Sequence, residues 1–239
     1  EEVSMENKDD KKVNEFILER LYEMQDLKYR DFHSKLLPTV DKEKIIGVRS
    51  PDIKKFAKEI SSMDICEEFI NELPHKYLEE YSLHIHILNK EKDIDKLMDK
   101  TEKLLPYIDN WAICDSFSPK IFKKYPDLIY SKILKWLESD HSYTVRFAIV
   151  TLMSNYLDEN FDKGHLDLIA SIKSDEYYIN MAIAWYYSYA IIKQYEETIA
   201  LIESKTLDKF VQNKSIQKAV ESRRVEDSTK EYLKKFKIK

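Results

Sequence analysis

An all-α fold is what this sequence predicts, and three observations carry that expectation. Apolar residues recur at helical spacing along almost the whole chain, and only two glycines, Gly47 and Gly164, occur in its 239 residues. No alternating apolar–polar run bounded by Asn-Gly or Asp-Gly turns is present, so strands are not supported. The first stripe is Val13, Phe16, Ile17, Leu21 and Met24, spaced to share one buried face. Ser50-Pro51-Asp52 opens the next helix: Ser50 is expected as its cap and Pro51 in its first turn, with Ile53, Phe56, Ala57 and Ile60 facing inward. Pro74 separates a helix over 64–73 from one over 77–89. The same periodicity places helices over 94–105, 108–117, 127–139, 143–156, 166–174, 176–193 and 195–203. Shorter ones follow over 207–212, 215–221 and 227–236.

Helix pairs recur at intervals of ~35–45 residues, the spacing of HEAT or armadillo-like units rather than of a long four-helix bundle. The expected architecture is therefore a superhelical array of antiparallel helix pairs, whose concave groove suits an elongated partner. One such domain is expected over 11–239, after a polar segment over 1–10 expected to be disordered.

Composition narrows the function. Two isolated glycines cannot build a P-loop, a dinucleotide fingerprint or a kinase phosphate loop, because each needs closely spaced glycines where backbone approaches phosphate. The net charge of −5 argues against indiscriminate nucleic-acid binding, yet leaves room for a locally basic surface. Cys66 and Cys114 lack CxxC spacing and suit a reduced compartment. No apolar run approaches the ~20 residues of a membrane span. A soluble, cytoplasmic, monomeric protein without membrane contact is expected.

The chemistry-bearing residues are few. Trp111 and Asp115, four apart, fall on one face of a helix, where an indole and a carboxylate together suit a cation. The plainer alternative is a core tryptophan followed by a surface aspartate. His84 and His86 form the sole His-X-His, but on a helix these point to different faces, so no metal site is expected. No glycine-flanked serine elbow exists, and Cys114 lies beside a carboxylate that disfavours its thiolate. Tyr177-Tyr178 and Tyr186-Tyr187 serve either packing or stacking. Arg146 interrupts an apolar stretch and needs a carboxylate or a phosphate. Residues 223–239 carry seven basic side chains against three acidic ones, a solvated tail or an auxiliary phosphate contact.

With Gly47-Val48-Arg49-Ser50-Pro51, Tyr107-Ile108-Asp109-Asn110-Trp111-Ala112-Ile113-Cys114-Asp115, Val145-Arg146-Phe147-Ala148-Ile149 and Ala182-Ile183-Ala184-Trp185 in this order, the chain resembles the AlkD-type alkylpurine DNA glycosylases of the HEAT-like DNA alkylation-repair family. The resemblance runs from about Asp26 to the C-terminus. It implies Asp115 as the catalytic carboxylate and Trp111 and Trp185 as indoles contacting the lesion's deoxyribose. It further implies Arg146 as a DNA-backbone ligand, with Lys54, Lys55 and Arg49 as looser backbone contacts. The implied substrate is duplex DNA bearing cationic N3- or N7-alkylated purines, taken without a cofactor, a metal or a deep base-flipping pocket. Where well-studied members carry basic residues before the second tryptophan, this chain has Asn180 and Met181. Two other functions fit the same residues: a non-catalytic relative that binds distorted DNA, and a helical scaffold that binds protein.

Overall fold

The computed structural model describes residues 8–239, with side chains from residue 12 onward, and every regular element in it is helical. The chain runs α1 (Lys8–Glu23), α2 (Leu27–Leu36), α3 (Ser50–Ile60), α4 (Ile65–Asn71), α5 (Leu78–Leu88), α6 (Ile94–Leu104) and α7 (Trp111–Ser116). It continues through α8 (Pro126–Leu137), α9 (Ser142–Asn155), α10 (Gly164–Ala170), α11 (Tyr177–Lys193), α12 (Tyr195–Ser204), α13 (Lys209–Glu221) and α14 (Asp227–Lys234). Short 3₁₀ turns lie at Lys42–Lys44, Leu105–Tyr107 and Lys120–Lys124. Helices pack on their neighbours in the chain, as in a HEAT-like array. Among the described residues no helix is long and apolar enough to cross a membrane.

The helices gather into two compact units, one ending at Ile121 and the other starting at Phe122. One domain was the expectation over 11–239; in an array each helix meets mainly its neighbours, so contacts divide readily into local groups. In the first unit α5 is central, with α3 and α7 packed on it and α1 against α4 and α5. Its core includes Ile17, Leu21, Phe56, Ile60, Phe69 and Leu83, all shielded from water. In the second unit α11 is central, packed by α9, α12 and α13, with α8 against α9 and α14 against α13. Phe147, Ile149, Leu152, Tyr186 and Tyr187 fill that core.

Several boundaries differ from expectation for physical reasons. Helix α2 has no periodic apolar stripe to announce it, because none of its residues is buried; its signal is local, the Asp26 carboxylate accepting from the Tyr29 N–H at 2.9 Å. The two helices expected over 207–212 and 215–221 are one, α13. Its polar middle is tolerated because buried Gln212 donates to the Ile202 and Phe236 carbonyls, at 2.8 and 3.0 Å. Ser50 is the first helical residue of α3 rather than its cap, a place taken by Arg49, while Pro51 does sit in the first turn. Of the segment 1–10, residues 1–7 lie outside the described residues, and residues 8–10 form the first turn of α1.

Candidate active site

Helix α7 is only six residues long, and polar contacts rather than a long apolar face hold it. Asn110, itself buried, caps it by accepting from the Ile113 N–H at 3.0 Å. At the other end Asn89, which follows α5, donates from Nδ2 to the Ser116 carbonyl at 2.8 Å and accepts from the Ser118 N–H at 2.7 Å. Ile113 and Cys114 face the core, which turns Trp111 and Asp115 together onto the half-buried face one turn apart. The Trp111 indole N–H donates to the Leu36 carbonyl at the end of α2, at 3.1 Å. That bond fixes the ring's edge and leaves the π-face, the part that attracts cations, unspent by it.

The Gly47–Pro51 turn is explained by its backbone. Gly47 has φ of +95°, and a Cβ there would lie 2.6 Å from the Arg30 Cβ and 2.8 Å from the Asp26 carbonyl oxygen. Only glycine meets both demands. The buried Glu79 carboxylate of α5 accepts from the N–H groups of Ile46, Gly47 and Val48 at 2.9, 2.7 and 3.3 Å. Arg49 is exposed, but its guanidinium donates to the Asp26 carboxylate at 2.9 and 3.1 Å and lies 4.9 Å from the Tyr29 ring centroid. Arg49 thus ties the turn to α2; Asp26, with the Tyr29 N–H and Arg49 donating to it, is held below the usual carboxylate range. Lys54 and Lys55 are exposed on α3, one turn further on.

A cavity of about 110 Å³ lies in this unit beside α7, lined among others by Tyr29, His33, Ser50, His86, Ala112 and Ser116. Burial lowers the affinity of His33 and His86 for protons; His86, also repelled by Lys54 and Lys90, is pushed down to about 4. His84 points elsewhere, its Nδ1 2.8 Å from His75 Nε2, and burial likewise keeps both of these rings neutral. The His-X-His therefore splits between two environments.

In the second unit, Arg146 on α9 is 6% exposed, and its guanidinium donates to the Tyr178 carbonyl in the first turn of α11 at 2.6 Å. Since the acceptor belongs to the first turn of α11, this contact ties α9 to α11. Trp185 lies further along α11, half-buried, between a fully buried Ala184 and Tyr186. Its ring stands nearly perpendicular to that of Tyr189, with centroids 6.1 Å apart. Asn180 donates from Nδ2 to the Ser174 carbonyl at 2.8 Å and so braces the start of α11. Tyr186 and Tyr187 are core residues, whereas Tyr177 is exposed.

Sequence reasoning missed the supports: Glu79, Asn89, Asp26 and, as a cap, Asn110. The Asn110-Trp111 junction carried a legible cap signal. Glu79 did not, since nothing local distinguishes a glutamate that reaches back some thirty residues to a turn.

No curated protein matches the chain at a significant level. The family model described as DNA alkylation repair enzyme matches residues 11–224, which takes in the capped Trp111–Asp115 helix, the glycine turn, Arg146 and Trp185. The chain belongs to the DNA alkylation repair enzyme family, and its role lies in DNA repair.

Proposed function

We propose that the chain is a monofunctional DNA glycosylase that hydrolyses the N-glycosidic bond of cationic N3- or N7-alkylated purines in duplex DNA. The observation that carries this reading is the Trp111–Asp115 pair, held half-buried on one face of a short, doubly braced helix in a chain of this family. An alkylated purine already bears positive charge, so it leaves with the electron pair of the C1′–N bond and becomes neutral without a general acid. Positive charge then builds on the deoxyribose, as in glycoside hydrolysis. Asp115 stabilises that oxocarbenium-like charge and orients water; the water adds to C1′ and releases its proton to solvent, leaving an abasic site and free base. Indole faces add cation–π attraction of about 0.5–2 kcal/mol each, the role assigned to Trp111 and Trp185. Arg146, Lys54, Lys55 and Arg49 are assigned to the DNA backbone, Arg49 while shared with Asp26.

The test is release of 7-methylguanine or 3-methyladenine from methylated duplex by the full chain. Release is expected; none at high protein concentration overturns the catalytic reading. Asn180 and Met181, at positions basic in well-studied members, together with the net charge of −5, favour one rival, a helical scaffold whose groove takes a peptide or protein. Duplex binding undetectable even at low salt would support that rival.

A further inference from the structure

A second cavity, of about 250 Å³, lies within the second unit between α11 and the end of α13. Trp185 and Tyr189 supply its aromatic wall, and Lys218, Glu221, Ser222 and Arg224 the opposite side. Resting on the reading that this chain acts on DNA, we propose that this cavity holds one backbone phosphate of the bound strand, with Lys218 and Arg224 as its cationic ligands and the Trp185 ring against the adjoining sugar.

The lining of the cavity supports it. Arg224 extends along the ring of Tyr189, 5.8 Å from its centroid, so a flat cation is shelved at the cavity's edge. Lys218 is half-buried, and among the described residues no carboxylate lies within salt-bridge distance of either cation. Glu221, the one acidic residue of the lining, is exposed and accepts from Gln217 at 2.8 Å, which draws it toward its own helix. Burial above all holds the Lys218 ammonium below its usual range; the pull of Glu221 opposes it, and smaller repulsions from Lys214 and Arg146 add to it. An ammonium partly withdrawn from water gains more from an arriving phosphate than a fully solvated one does. Ser222 accepts from the Arg224 N–H at 3.2 Å, fixing the backbone from which the guanidinium projects. Room beyond a single water's share of ~30 Å³ admits a phosphate with part of its sugar. The aromatic-plus-cation lining matches a sugar–phosphate strand better than a bare anion.

The experiment measures duplex binding by the full chain, using an unmodified fluorescent duplex over a range of salt. Each phosphate neutralised contributes about 0.9 to the slope of log Kobs against log[salt]. The double variant Lys218→Gln with Arg224→Gln is expected to bind more weakly and with a slope flatter by about 0.9. Lys218→Arg should keep the native slope, and so should Lys173→Gln, whose partner is Asp208 on the same unit's surface. A double variant with native affinity and slope, while the native chain binds duplex, overturns the phosphate site and leaves the glycosylase reading standing. Weaker binding at unchanged slope, or equal flattening by Lys173→Gln, also overturns it. No salt-sensitive duplex binding by the native chain overturns both.

Discussion

The two units hold their aromatic residues by opposite means. In the first, Trp111 and Asp115 ride on a six-residue helix too short to be stable by itself, positioned by Asn110, Asn89 and the Leu36 carbonyl. In the second, Trp185 rides on seventeen-residue α11, which is buried on nearly every side from Ile179 to Ile191. Side-chain hydrogen bonds fix direction, whereas close packing fixes place. On the proposed reading, a carboxylate set to meet developing charge gains from the first device. An indole offering a broad face gains enough from the second.

The contrast can be broken in order of effect. Asp115→Asn keeps shape but removes charge, and base release is expected to fall about 10²–10³-fold, a barrier of about 2.7–4 kcal/mol by analogy with other preorganised electrostatic groups. Duplex affinity should hold; single-turnover excision with parallel binding curves checks both, and undiminished release would remove Asp115 from the chemistry. Gly47→Ala forces a Cβ against Arg30 and Asp26 at positive φ, and should destabilise the chain by about 1–3 kcal/mol in urea unfolding. Helix α2, tied to that turn through Asp26, should lose amide protection first, and an unchanged midpoint would show that the turn relaxes freely.

Acid should separate the units further. In the first, burial holds His33, His75, His84 and His86 below the usual imidazole range, with His75 and His86 at about 4. The unfolded chain binds protons below about pH 6.5 that these folded rings refuse. Their contribution is therefore full above pH 6.5 and is lost as pH falls toward 4. Glu80, raised by burial, works in the opposite sense and offsets part of the loss. In the second unit His165 is lowered in the same way. Hydrogen-exchange protection, taken relative to the intrinsic rate at each pH, should fall more in α5 than in α11 on going to pH 5; an equal fall would refute the contrast.

The smallest effects compare two neighbouring core hydroxyls. Tyr187 donates to the Leu166 carbonyl at 2.8 Å, so Tyr187→Phe should cost about 1 kcal/mol. Among the described residues the buried Tyr186 hydroxyl has no hydrogen-bond partner, so Tyr186→Phe should be neutral or slightly stabilising. Thermal melting of both variants, with the order reversed, would show that packing and not hydrogen bonding governs α11.

Helix periodicity made most of the fold legible, because a buried stripe must repeat every 3.6 residues whatever lies opposite it. α2 escaped since it buries nothing, and α13 was divided since a buried glutamine reads as a break. The pairing of Trp111 with Asp115 was legible because four residues on a helix amount to one turn. The Gly47 turn was visible as a motif but not as a mechanism.

What the sequence determined alone is local: an all-helical chain, the shared face of Trp111 and Asp115, and the impossibility of a glycine-rich phosphate loop. Tertiary structure decided the rest. It gave Glu79 to a turn far upstream, divided His84 from His86, sent Arg146 to the Tyr178 carbonyl, and gathered Lys218 and Arg224 beside Trp185. The physical reason is range: helical spacing is set within a turn or two of chain, whereas the partner of a buried polar group is whichever distant residue the packing delivers.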